Sequence, residues 1–85
     1  MNYSVLWPKE SLDELATAWM SSSDRDAVTE ASYLLEQELQ NDPYACGFDR
    51  GVPTDRTAVH LPLGIEFEII EEDKLVRILR VWSLL

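Results

Sequence analysis

From Leu63 to Trp82 the chain can do little other than form a β-hairpin. Leu63, Ile65, Phe67 and Ile69 alternate with Gly64, Glu66 and Glu68, a period of two that a helix cannot use. Glu71-Glu72-Asp73-Lys74 is polar and breaks the pattern, and Leu75 to Trp82 resumes it. Placing Glu72-Asp73 at the turn pairs Glu71 with Lys74, Ile69 with Val76, Glu68 with Arg77 and Phe67 with Ile78. This register puts Ile65, Phe67, Ile69, Val76 and Ile78 on one face, suited to packing against helices. Glu66, Glu68, Arg77, Leu79 and Val81 fall on the other. A slip of one residue would bury Glu68 and Arg77, so the pairing is strongly specified.

The remaining elements must cover the apolar face. Tyr3 to Trp7 is β-rich and stops at Pro8, which predicts a first strand with Tyr3, Val5 and Trp7 on one side. Pro8 suits the first turn of a helix, where its missing N–H costs nothing. Leu12, Leu15, Ala16, Trp19 and Met20 follow at helical spacing and predict the inward stripe of that helix. Ser21-Ser22-Ser23 interrupts it, and Ser23 with Asp26 has the spacing of a capping box. A second helix is predicted from about Asp24 to Gln40, with Ala27, Val28, Ala31, Leu34, Leu35 and Leu39 inward. Asp42-Pro43 ends it. Residues 43–56 read as a loop with Gly47, Gly51 and Pro53, and Thr57 to Leu61 as a short strand. The expectation is one α+β domain over residues 1–85, in the order β-α-α-β-β-β. Its helical hairpin packs on one face of a small, mainly antiparallel sheet.

Charge narrows the partners. The net charge is −9: residues 1–43 carry nine acids against Lys9 and Arg25, and residues 44–85 carry seven against five bases. Nucleic-acid binders usually present a basic face, because neutralised phosphates supply most of their affinity. Here such a face is confined to the C-terminal half, and a basic protein partner suits the whole better. No apolar run approaches the roughly 18 residues of a membrane span. The N-terminus lacks a basic stretch followed by an apolar one, so no secretion signal is expected and the location reads as cytoplasmic. Cys46 is the sole cysteine and cannot form an internal disulfide.

The order of elements, Pro-Leu-Gly-Ile-Glu-Phe-Glu-Ile from Pro62, Val-Arg-Ile-Leu-Arg-Val-Trp ending at Trp82, the Asp42-Pro43 step and the spaced Gly47, Arg50 and Arg56 together resemble the RelE/ParE toxin superfamily. The likeness spans essentially the whole chain, with most of it in Pro62 to Trp82. The resemblance implies a plasmid-stabilisation-like toxin of a type II toxin–antitoxin pair, bound by a cognate antitoxin. RelE-like members cut mRNA on the ribosome without a metal or other cofactor, and ParE-like members poison DNA gyrase. It implies an mRNA interferase with weak or lost activity, because RelE-like nucleases spread Lys and Arg across the open sheet face and many carry His, Arg or Tyr just after the last strand. Here Ser83-Leu84-Leu85 follows Trp82. The alternative is a non-enzymatic protein-binding module, gyrase-directed or domesticated. Self-association stays open.

Candidate catalytic residues, if the chain is a metal-independent endoribonuclease, are Arg50, Arg56 and Arg77 for phosphate charge and His60 as proton carrier. Each has a plainer reading: Arg50 or Arg56 as a surface arginine beside Asp49 or Asp55, Arg77 as a cross-strand partner of Glu68, His60 as structural. Leu79, Val81, Glu66 and Glu68 are the candidate partner-binding residues on the open face. Arg80 is expected at the end of the core face, with its charge reaching out to water. No metal site is indicated: Cys46 has no His or Cys neighbour in sequence.

Overall fold

The computed structural model describes residues 2–84. Its elements are β1 (Ser4–Leu6), α1 (Lys9–Ser21), α2 (Arg25–Asn41), β2 (Phe48–Val52), β3 (Asp55–His60), β4 (Leu63–Ile70) and β5 (Leu75–Ser83). Short 3-10 turns lie at Pro43–Ala45 and Glu71–Asp73. The strands form one sheet in the order β1-β5-β4-β3-β2. The β1–β5 pair is parallel and the others are antiparallel.

One sheet face and the two helices enclose the core. Phe67, Ile65, Leu63, Val76, Ile78 and Leu39 are fully buried, and Val28, Ala31 and Leu35 of α2 nearly so. Tyr3, Val5 and Trp7 pack on the edge of this cluster, as their alternation predicts. α2 is held at its start by Asp24, whose side chain accepts from Ala27 N at 3.1 Å. Asp24 therefore fills the capping role expected of Ser23, one residue on.

Three expectations are corrected. The first concerns β2, which lies inside the segment predicted as loop. All five of its residues are exposed, so it carries no alternation of burial. Pairing with β3, not local pattern, makes it a strand, and it ends in a bulge between Asp49 and Val52.

The second concerns the face α1 turns inward. Ser11 and Ala18 are its buried residues, whereas Leu12 is 48%, Trp19 40% and Met20 67% exposed. Beyond β1's reach the outer edge of β5 is free, and α1 caps it with polar groups. Ser11 Oγ donates to Ile78 O at 2.7 Å, and Glu14 Oε1 accepts from Val81 N at 2.8 Å. These bonds satisfy backbone groups that an unprotected edge leaves open. They turn the helix by about one position from the all-apolar choice. Ser11→Ala strands the Ile78 carbonyl and is expected to cost about 1–2 kcal/mol in urea denaturation.

The third concerns the end of the final hairpin. The predicted register holds from Ile70↔Leu75 to Phe67↔Ile78, and then a bulge inserts Leu79, giving Glu66↔Arg80, Ile65↔Val81 and Gly64↔Trp82. Val81 is thereby moved into the core at 4% exposure, and Arg80 leaves the core side of the ladder. Leu79 remains at the surface. The apolar pair expected on the open face is therefore split.

Cys46 is buried beneath the Pro43–Ala45 turn, its Sγ 3.3 Å from Asp42 O. Burial, reinforced by the charges of Glu38 and Asp42, pushes its thiol up to about 11. The thiolate fraction at pH 8 is then about one in a thousand. Alkylation of the native protein by iodoacetamide at that pH is expected to be at least about 100-fold slower than of urea-unfolded protein.

Candidate functional site

The sheet face away from the helices is uncovered by any described element. Register places Leu6 of β1, Leu75, Arg77, Arg80 and Trp82 of β5, Glu66, Glu68 and Ile70 of β4, Asp55, Thr57 and Val59 of β3, and Phe48 of β2 on that side. Two ion pairs cross it. Arg50 Nη1 lies 2.9 Å from Glu66 Oε2, and Arg77 Nη1 lies 2.6 Å from Glu68 Oε2. Arg77 thus takes the cross-strand partner expected of it, and Arg50 takes Glu66 in place of Asp49 or Asp55. Arg80 reaches round the free edge toward Glu14, at 3.8 Å. Asp55 stands opposite Glu68 and adds a further negative group, with Oδ1 buried and unbonded within the protein.

Arg56 and His60 lie elsewhere. Arg56 pairs with Phe67 and His60 with Leu63, which puts both on the helix side of the sheet. Arg56 is 9% exposed, and its guanidinium is taken up by carbonyls. Nε donates to Cys46 O at 3.0 Å, Nη2 to Gly47 O at 3.3 Å and Nη1 to Pro53 O at 3.4 Å. His60 Nδ1 lies 3.4 Å from Leu61 O. The structure brings Arg50 and Arg77 together with Glu66 and Glu68 on one face, and it separates Arg56 and His60 from them by the thickness of the sheet. Among the partner-binding candidates, Glu66, Glu68 and Leu79 reach the surface on or beside that face, and Val81 does not.

Two features of the surface escape a reading of periodicity. Between the helices runs a groove of about 350 Å³ lined by Leu12, Leu15, Ala16, Trp19 and Val28. Arg25 covers Trp19 with its guanidinium carbon 4.7 Å from the ring centroid. Leu12, Leu15, Ala16 and Trp19 repeat at helical spacing, and nothing in that spacing marks them as facing this groove in place of the sheet. The second feature is a clasp joining the N-terminus, the turn after α2 and the β4–β5 turn. Glu71 Oε1 accepts from Tyr3 OH and Tyr44 OH, each at 2.9 Å, while Oε2 pairs with Lys74 Nζ.

These bonds, Lys74's foremost, hold the Glu71 carboxyl below its usual range. Lys74 is raised by Glu71; Tyr44 is raised chiefly by its bond to Glu71, and Tyr3 by burial and then Glu71. A depressed carboxyl stabilises the fold above its unfolded value, and that contribution is lost as pH falls through the folded value. The raised lysine and phenols stabilise below their ordinary values and fail as pH rises through the raised ones. The clasp is therefore strongest between these limits. The difference in urea midpoint between wild type and Glu71→Gln is expected to be largest from about pH 6 to 9 and to shrink on both sides.

Among the described residues no helix is long and apolar enough to cross a membrane, and no three His, Cys, Asp or Glu are grouped to hold a metal. The fold and the face define a class: a small α+β protein whose helical hairpin covers one side of a mixed sheet and leaves the other side open. No family model matches the sequence, and no curated protein is found similar to it. Solved structures do match. The toxin–antitoxin complex RelBE2 from Mycobacterium tuberculosis aligns at 17% identity over 98% of this chain and 99% of that one, with a TM-score of 0.78. A double arginine-to-alanine mutant of E. coli toxin RelE, in the free state, aligns at 17% over 98% and 84%, TM-score 0.73. The chromosomal ParDE system of P. aeruginosa aligns at 17% over 98% and 97%, TM-score 0.71. The chain has the RelE/ParE fold.

Proposed function

We propose that this protein is the toxin-side member of a toxin–antitoxin pair, held by a cognate antitoxin, with RNA cleavage weak or lost. The observation that carries the reading is the match of nearly the whole chain to toxins of such pairs, RelE and ParE alike. The surface supports a protein partner. The helical layer combines an exposed apolar groove with most of the acidic residues of the N-terminal half. A basic amphipathic segment is the complement of such a groove, since apolar contact supplies affinity and charge supplies rate and specificity.

The dispersal of the basic residues favours a second reading beside cleavage, a non-enzymatic module that acts by binding. Phosphoryl transfer needs cations and a proton carrier converging on one phosphate. Arg56 is taken up by backbone carbonyls and His60 is on the other side of the sheet, which leaves Arg50, Arg77 and, opposite Glu66, Arg80 for any contact with RNA, with no histidine beside them.

Expression of the chain alone is expected to arrest growth, and co-expression with the product of an adjacent short reading frame to relieve the arrest. Harmless high-level expression rejects the toxin. Once growth stops, transcripts cut within codons identify a nuclease. Intact transcripts with damaged DNA identify gyrase as the target and the binding reading as correct.

A further inference from the structure

The open sheet face carries none of the chain's excess charge. Three bases lie on it, Arg50, Arg77 and Arg80, and three acids, Asp55, Glu66 and Glu68. The remaining four bases and thirteen acids hold the whole −9. A body of like charge is repelled by that remainder and not by this face. A basic partner is drawn to the acidic remainder instead, and an acidic one meets fixed carboxylates among the cations.

The face also complements itself. One cross-strand row runs through all five strands: Leu6, Arg77, Glu68, Asp55, Val52. It reads apolar, basic, acidic, acidic, apolar. Turned about an axis along β4, the row lies on its own image with Leu6 over Val52 and Arg77 over Asp55. Asp55 is the acid of this face that no described cation pairs with. Glu68 and Glu66 fall on the axis, each accompanied by an arginine of its own chain. A second row, Trp82, Gly64 and Val59, sets the indole over the other copy's Val59. The ring lies so close over Gly64 that a β-carbon there would be 2.6 Å from it, and it therefore extends across β4 toward that neighbour. Leu6, Val52 and Val59 are 46%, 55% and 52% exposed, so nothing within the chain covers them. An axis across the strands would instead lay β5 on β5, basic on basic.

We propose that the open face is an isologous interface between two copies of this chain, packed sheet on sheet about a twofold axis along β4. Sheets stacked this way lie about 10 Å apart with strands within about 30° of each other. Five strands about 4.8 Å apart and a β4 of eight residues give a flat footprint on the order of 20 by 25 Å. With side-chain relief this reaches the low end of specific interfaces, and a micromolar dimer is expected. The proposal goes beyond the toxin–antitoxin reading and does not rest on it, because it leaves the helical groove free and is measured on the chain alone.

Sedimentation equilibrium tests it. From about 5 to 500 µM protein, the mass is expected to rise from 9.8 kDa toward twice that value. Asp55→Arg and Arg77→Asp each bring like charges together at both symmetry-related contacts, and each alone is expected to raise the dissociation constant at least about tenfold. An equal mixture of the two restores both contacts, and its dissociation constant is expected to return to within about threefold of wild type. A monomer at every concentration overturns the proposal, as does a mixture of folded variants that stays monomeric. Should either charge variant lose its circular dichroism spectrum, Val59→Glu carries the test against Met20→Glu, which adds the same charge to the helical layer. Val59→Glu is expected to weaken the dimer at least about tenfold and Met20→Glu to leave it unchanged; the reverse, or no effect of Val59→Glu, overturns the proposal.

Discussion

Gly47→Ala is expected to destabilise the protein by about 4 kcal/mol, enough to unfold much of the population of a domain this small. Gly47 has φ +61, a conformation that already costs a residue with a side chain about 1–2 kcal/mol. The larger share is steric. A β-carbon at Gly47 would lie 1.8 Å from the Thr57 carbonyl oxygen and 2.8 Å from Ala58 Cα. Both are backbone atoms of β3, which is pinned to β4 by pairing from Asp55 to His60, so neither can move without breaking the ladder. Gly51→Ala is the control. Gly51 also has positive φ, at +102, but a β-carbon there meets nothing within 4 Å, so its cost is conformational alone. Urea denaturation of the two variants separates the effects. A Gly47→Ala loss within about 1 kcal/mol of the Gly51→Ala loss would show that the approach to Thr57 is not the constraint.

Arg56→Met is expected to cost about 3 kcal/mol and to loosen β2 before the rest of the sheet. Methionine keeps length and apolar bulk but has no donors. The carbonyls of Cys46, Gly47 and Pro53 then lose the group that joins the two ends of the β2 segment. Arg56→Lys should recover less than half of the loss, because an ammonium cannot present a planar fork to three acceptors at fixed angles. Hydrogen exchange offers the more specific reading. Amides paired between β2 and β3 are expected to lose protection at denaturant concentrations where β4 and β5 keep theirs. Uniform loss of protection, or wild-type stability for Arg56→Met, would refute the role. Gly47 and Arg56 act at one point, where close approach and bonding together fasten an edge strand with no buried side chain.

The elements legible in the sequence are those whose side chains repeat with their own geometry. The β4–β5 hairpin was readable because Ile65, Phe67, Ile69, Val76 and Ile78 alternate, and burial at 4% or less follows from that alternation. α2 was readable because Val28, Ala31, Leu35 and Leu39 recur at helical spacing. β2 was not, because an edge strand exposed along its length gains its form from backbone pairing, which leaves no mark in hydropathy. In the candidate site, the Arg77–Glu68 pair lies within the predictable register. The Arg50–Glu66 pair joins strands separated by β3 and follows from no local rule.

The sequence alone determined the alternating hairpin, the helical hairpin and the helix end set by Pro43, since each depends on residues only a few positions apart. Tertiary structure decided which side of α1 turns inward, where the bulge at Leu79 sends Val81, and that Arg56 and His60 stand across the sheet from Arg50 and Arg77. Those outcomes depend on unpaired backbone groups at the edge of β5 and on strand order. Hydrogen-bond satisfaction there outweighs the burial of Leu12, Trp19 and Met20, because a free sheet edge must be capped by whatever polar side chain the nearest helix can offer.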